Sequence, residues 1–276
     1  MNTRARRFRG LLLTPLAAVA MLAIFAVAAQ AKTPAAGYEQ FTGCPTKAEK
    51  AEVTLCQHST ITGGHFQMGS KTVPISKPIT LTAGFVSSTN LMYYTSEGGL
   101  SATKLEIPGG IVGLTGLDWL IKFLNADQLK VYAETQLAGT PKLTGVQLTL
   151  PIKVHLINPV LGPGCFVGSD TEPIDLHLVT GTTAPPPPNE PIKGKAPATK
   201  VDIKTGIVTS KEGIYVDNSF AAPAAKGCNL ILGLIPVNID AIVNLQSGLP
   251  SAAGTNETVQ EFEAEQVVRT KVYPGE

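Results

Sequence analysis

A chain of 276 residues with 22 basic and 21 acidic side chains is close to neutral, and four of the basic residues are arginines within the first nine positions. The remaining 245 residues carry 18 basic against 21 acidic groups, a balance of −3. That excludes the basic footprint of a nucleic-acid binder and gives no steering toward anionic membranes, while the length buries a full core in one large domain or two small ones.

Residues 1–31 read as a Sec-type signal peptide: the arginines of MNTRARRFRG, an apolar run from Leu11 to Ala29, and the small-x-small site Ala29-Gln30-Ala31. Cleavage is expected after Ala31. The competing reading is a retained anchor, since roughly 19 apolar residues just span a bilayer; Pro15 and the alanine-rich composition favour cleavage. The next cysteine is Cys44, so no lipid-modified N-terminal cysteine is expected. LPSAAG at 249–254 lacks the threonine of a cell-wall sorting signal, and VYPGE at the C-terminus is not apolar. Residues 32–276 are therefore expected to be exported, then released or held at a surface without a covalent link.

All four cysteines lie in this exported part. An even count in an oxidising compartment reads as two disulfides with three pairings open. Nearest-neighbour closure favours Cys44–Cys56 and Cys165–Cys228. A cysteine metal site would need Cys-x-x-Cys spacing, which is absent.

Charged residues are only 16% of the chain, whereas Gly and Pro make up 48 positions. Low charge, frequent turn residues and β-branched runs predict an all-β fold, a β-sandwich or paired antiparallel sheets with one short helix. In chain order, strands are expected over 52–61, 78–86, 90–95 and 101–107. Helical spacing of Leu117, Leu120, Ile121 and Leu124 predicts the helix over 114–124, with Trp119 in the core. A hairpin follows over 128–156, turning at Gly139–Lys142. Its second strand has Val146, Leu148, Leu150, Ile152, Val154 and Leu156 alternating with polar residues, so one face is buried and one wet. Pro151, on the wet face, marks an edge or a bulge. Further strands are expected over 174–180, 200–208, 236–246 and 258–272. TGTTAPPPPNEPIKGKAPATK at 180–200 is a Pro-rich surface loop, stiffened as polyproline II.

The stretch 151–180 holds one phrase twice, PIKVHLI and PIDLHLV, with a histidine at the same place in each. Strand alternation puts Ile152, Val154 and Leu156 inward, as it does Ile174, Leu176 and Leu178. His155 then shares the outer face with Lys153, and His177 shares it with Asp175. His155, His177 and Asp175 form the weak candidate site for metal or acid–base chemistry, against a simple wet-face role. Two histidines do not complete a zinc site.

Other motifs fall short. Gly64–Thr72 resembles a phosphate loop, but Ser70 separates Gly69 from Lys71. Gly162-Pro163-Gly164 lacks the third glycine of a dinucleotide fingerprint. There is no Gly-x-Ser-x-Gly and no His-Glu-x-x-His. His58 and His65 read as structural. One tryptophan and 6% aromatics give no sugar-binding platform. Asn256-Glu257-Thr258 matches a glycosylation sequon and suggests a surface loop. No cofactor is implied. The surplus is apolar: Leu230–Ile235 and Ile111–Leu114 do not alternate, so they are buried on both faces or contact something apolar.

The segments HLINPVLGPGCFVGS, TGTTAPPPPNEPI and GLPSAAGTNE resemble uncharacterised secreted proteins of actinobacteria, over most of the exported part. The resemblance implies export and no activity. The expected function is an exported non-catalytic β-protein of the envelope or extracellular space, acting through surface contacts. The alternatives are a binding module for an apolar, lipid-like ligand and a secreted hydrolase with a dispersed site. The module would need a cavity of at least roughly 300 Å³ lined by 111–124 and 228–246. The hydrolase would need His155 or His177 within hydrogen-bond reach of a Ser, Asp or Glu. The partner and the oligomeric state are unknown from sequence.

Overall fold

The computed structural model describes residues 32–231 and 235–276. The leader expected over 1–31, and Leu232–Leu234 of the apolar run, lie outside the described residues. The protein is all-β, with 42% strand and 12% helix.

β1 (Leu55–Met68) runs through the expected strand and continues past Gly64. It turns at Gly69–Ser70 into β2 (Lys71–Pro74), with Met68 opposite Lys71. The near-miss phosphate loop is thus a β-hairpin. Gly69 sits there at φ +52°, and a Cβ would lie 2.2 Å from the Ser247 carbonyl oxygen, so only glycine fits. β3 (Ile79–Val86) pairs along β1, and β4 (Leu91–Tyr93) and β5 (Gly99–Ala102) pair with β3. β6 (Leu105–Glu106) leads to α1 (Gly110–Thr115). The single helix expected over 114–124 is split: Gly116, at φ +68°, ends α1, and Asp118–Lys122 forms a separate 3-10 turn.

After α2 (Ala126–Leu129) come β7 (Tyr132–Leu137), β8 (Lys142–Thr144) and β9 (Gln147–Ile157). Both β7 and β8 pair with β9, so the reversal lies at Gly145–Val146 rather than at Gly139–Lys142. Val146 is exposed in that turn, not buried in the strand. Pro151 is not at an edge. β9 is flanked on one side by β7 and β8 and on the other by β10 (Phe166–Val167) and β11 (Ile174–Leu178). The Pro151 carbonyl accepts from the Ala138 N–H, so its missing N–H faces the gap between β7 and β8, where no ladder bond is lost.

The expected strand 200–208 is instead a reversal. β12 (Ala198–Val201) turns through Asp202–Ile207 into β13 (Val208–Asp217), a long strand the sequence reading passed over. The Asp202 carboxylate accepts the Lys204 N–H, and Gly206 takes φ +75°, which fixes the turn. β14 (Ala225–Lys226), β15 (Asn229–Ile231) and β16 (Pro236–Asn238) follow. The strand expected over 236–246 ends at Asn238 and becomes α3 (Asp240–Ser247). Ile239 and Val243, four apart, are buried, while Val237 and Leu245 are exposed, a helical rather than an alternating pattern. Asp240 supplies the reason, because its carboxylate accepts the Cys228 N–H at 2.6 Å and anchors the first turn. β17 (Glu257–Val268) and α4 (Arg269–Val272) complete the chain.

Fifteen of the described strands share one hydrogen-bonded network. One layer is β12-β13-β17-β1-β3, and the other is centred on β9. They join along both edges, through Leu91–Lys142 between β4 and β8 and through the Val179–Val216 bridge between the end of β11 and β13. The result is a closed antiparallel circuit, β13-β17-β1-β3-β4-β8-β9-β11. Bulges on both flanks of β17, between Ile61 and Gly63 and between Ser210 and Gly213, supply local bending and twist that help the first layer wrap around the second. The disulfides are Cys44–Cys56 and Cys165–Cys228, the pairing that nearest-neighbour closure favours. No helix among the described residues is long and apolar enough to cross a membrane.

Candidate functional site: an apolar cavity between the layers

The inward faces of the two layers do not close fully on each other. β9 sends Leu150, Ile152, Val154 and Leu156 inward, all buried. Ile61, Phe66 and Met68 of β1 and Ile79 of β3 face them, and α1 and the segment after α3 cover one side with Leu114 and Leu249. Between them lies a cavity of about 80 Å³.

This differs from the cavity expected from sequence. Of 111–124 only Leu114 reaches it, and none of the described residues of 228–246 does. Its volume is below the expected roughly 300 Å³. The non-alternating runs serve other ends: Ile111 and Leu230 join the core, while Ile235 is exposed.

Four polar side chains interrupt the apolar wall, Lys71, Thr135, Ser247 at the end of α3 and Gln260 on β17, the last two 3% and 4% exposed. The Ser247 hydroxyl and the Gln260 Oε1 are buried without a hydrogen-bond partner among the described residues. The Gln260 amide is fixed in orientation. Thr258 donates its hydroxyl proton to the His65 carbonyl, so its oxygen must accept from Gln260 Nε2, at 3.1 Å. Oε1 is left as the free end. Lys71, also lining the cavity, donates to the Gly113 carbonyl at 2.7 Å. Sequence reasoning missed both Ser247 and Gln260. The signal for Gln260 was present, a glutamine on the inward row Thr258-Gln260-Phe262 of an alternating strand.

The twin histidines lie elsewhere, outside the cavity wall. His155 is half-buried, stacks on Phe166 at 4.3 Å between ring centroids, and its Nε2 bonds the Pro163 carbonyl at 2.9 Å. His177 and Asp175 are exposed on β11. His177 pairs in register with Thr149, six residues along β9 from His155, about 20 Å away. The structure does not bring His155, His177 and Asp175 together. The backbone of the second copy is held instead by Asp217, buried, whose carboxylate accepts the His177 N–H at 2.6 Å and the Ser219 hydroxyl at 2.7 Å.

His58 donates or accepts at Thr82 Oγ1, 2.8 Å away; burial holds its pKa below the ordinary value, with the Glu265 carboxylate opposing. His65 faces Glu257 at 3.0 Å. Asn256 is not on a surface loop: it is fully buried, and its amide bonds Ser251, the Gly69 N–H and the Phe220 carbonyl. That sequon cannot carry a glycan in the folded chain. The Pro-rich loop is docked through Asn189, which bonds the Asn218 and Asn256 carbonyls. Trp119 is 46% exposed and stacks edge-on with Phe123, itself 71% exposed, so the expected core position goes to Leu120.

Fold and site together define an all-β circuit with a predominantly apolar cavity between its layers and four polar side chains in the wall. No protein-family model, no curated protein and no solved structure matches the chain.

Proposed function

We propose that the protein is an exported, non-catalytic binding module that encloses an apolar ligand between its two β-layers. The cavity supports this reading: a native interior is normally packed to crystal-like density, so an apolar gap wider than a water molecule is an exception, and although smaller than a drug-sized site it is of the kind that admits a small apolar guest. Export is supported by the leader features of residues 1–31 and by two disulfides, which belong to oxidising compartments. The non-catalytic half is supported by the engagement of His155 with a backbone carbonyl and by its distance from His177. Contact with an envelope surface or partner is the second reading, favoured by the exposed Trp119, Ile121 and Phe123.

Benzene titration tests the first reading, since apolar cavities admit such probes. Saturable shifts of the methyl resonances of Leu150, Ile152 and Leu156 are expected, and Ala133→Leu, which fills the wall from β7, is expected to abolish them. Unchanged methyl spectra in the wild-type protein would refute the reading.

A further inference from the structure

We infer that the ligand is an aliphatic carboxylate, with its alkyl chain in the cavity and its carboxylate on the Lys71 ammonium. This rests on the apolar-ligand reading above and names the ligand's polar end. Of the described side chains that line the cavity, Lys71 alone carries a charge, and no Asp or Glu stands with it in the wall. Nor does it pair with a carboxylate elsewhere among the described residues. Its place is set from two sides. Lys71 opens β2 directly after the Gly69–Ser70 turn, and that turn is tied to α3 by the Ser70 N–H on the Ser247 carbonyl at 2.9 Å. From there the ammonium reaches α1 and donates to the Gly113 carbonyl at 2.7 Å. One of three N–H donors is used in this way. Closing the end of a short helix calls for a fraction of a charge, so most of a positive charge and two donors are left over at a half-buried position beside apolar side chains. An alkane offers them nothing, and an alcohol or an ester offers a dipole only. A carboxylate makes charge-assisted hydrogen bonds, roughly twice as strong as neutral ones, and accepts from the free N–H groups while Gly113 keeps its own. One cation in the wall matches one negative charge. The cavity is smaller than a drug-sized site, which limits the enclosed part to a short alkyl chain or the buried end of a longer one.

Calorimetry at neutral pH compares hexanoate with methyl pentanoate, an uncharged isomer of hexanoic acid, and with acetate, which has the charge without the chain. Hexanoate is expected to bind at least about tenfold tighter than the ester, the worth of a hydrogen bond to a charged group, and acetate to bind too weakly to measure. Lys71→Met keeps an apolar stem of similar length, and is expected to remove the preference for hexanoate while leaving the ester's affinity within about twofold. In the wild-type protein hexanoate should also shift the Lys71 Cε resonance and the ester should not, a readout that decides even if the variant fails to fold. Equal wild-type affinities for hexanoate and ester would overturn the carboxylate recognition and leave the apolar-ligand reading standing. Acetate binding as tightly as hexanoate would overturn it by showing an anion site that ignores the chain. A preference for hexanoate that survives Lys71→Met, or leaves the Lys71 resonance unmoved, would overturn the role of Lys71. Binding of none of the three, together with a silent benzene titration, would remove both proposals.

Discussion

Two of the apolar clusters among the described residues treat polar groups differently. The smaller gathers Phe41, Cys44, Val53, Cys56, Val86, Val267, Val272 and Tyr273 beneath the two terminal segments of the described chain. There the Tyr273 hydroxyl donates to the Cys44 carbonyl at 2.9 Å and Arg269 Nη1 donates to the Lys50 carbonyl at 2.9 Å, while Arg269 Nε, buried without a hydrogen-bond partner, lies 3.8 Å from the Glu276 carboxylate. The larger interior, between the layers, leaves the Ser247 hydroxyl and Gln260 Oε1 without partners beside a gap. In the first, the unpartnered atom still faces a carboxylate of opposite charge; in the second, the two unpartnered atoms lie among apolar side chains with no opposite charge paired to them, the costlier arrangement.

The two disulfides separate these regions most strongly. Cys44–Cys56 closes a loop of 12 residues in the small interior, and Cys165–Cys228 closes one of 63 across β10 and the end of β14. Loop-closure entropy assigns ~4 kcal/mol to the longer bridge and ~3 to the shorter. The double variant Cys165→Ala/Cys228→Ala is therefore expected to lose more unfolding free energy in urea than Cys44→Ala/Cys56→Ala. The reverse order would mean that the small interior depends on its bridge for packing as well as for entropy.

Alkaline pH probes both interiors with one chemical group. Tyr273 is pushed up to about 12, first by burial and then by Glu49, Glu276 and Glu97, and Tyr215 is pushed up to about 12 by burial. Both folded values exceed the unfolded one near 10. The stabilisation is thus fully present below pH ~10 and is lost as pH rises toward ~12, at about 1.4 kcal/mol per unit for each tyrosine. Tyr273→Phe should remove about half of that slope in urea midpoints measured from pH ~9 to ~12, at a cost of about 1 kcal/mol at neutral pH for the lost hydrogen bond. A slope unchanged by the substitution would show that the small interior opens before Tyr273 ionises.

How much of this was legible depended on whether periodicity was the only pattern acting. β9 was, because Leu148 to Leu156 alternate without interruption and no helical spacing fits them. Residues 236–246 were not: Ile239, Val243 and their neighbours satisfy a period of two and a spacing of four at once. The deciding contact, the Asp240 carboxylate on the Cys228 N–H, lies 12 residues away in sequence. β13 was hidden by Gly213 and the bulge beside it, which break its alternation. The outward placement of His155 and His177 followed from strand parity, whereas the cavity did not, since no local pattern says which inward faces fail to meet. Gln260 could be read as inward-facing and polar, but its free oxygen depends on Thr258 and on a carbonyl of β1, nearly 200 positions away in the chain.

The smallest expected effect lies at the 3-10 turn that follows α1. In Asp118–Lys122, Leu120 is fully buried while its neighbours Trp119 and Ile121 are 46% and 56% exposed, an arrangement opposite to an ordinary surface turn, where the aromatic would go in. If the fold alone governed this segment, Trp119 and Phe123 would be packed. Their edge-on pair instead adds little to stability, because Phe123 stays mostly in water and Trp119 is only about half-buried. Trp119→Ser/Phe123→Ser is therefore expected to change unfolding free energy by less than about 0.5 kcal/mol, whereas Leu120→Ala should cost about 2–5 kcal/mol. Urea denaturation of the two variants side by side checks this. A loss above about 2 kcal/mol from the double substitution would make the aromatics part of the larger interior's cover and take away the support they lend to a surface contact.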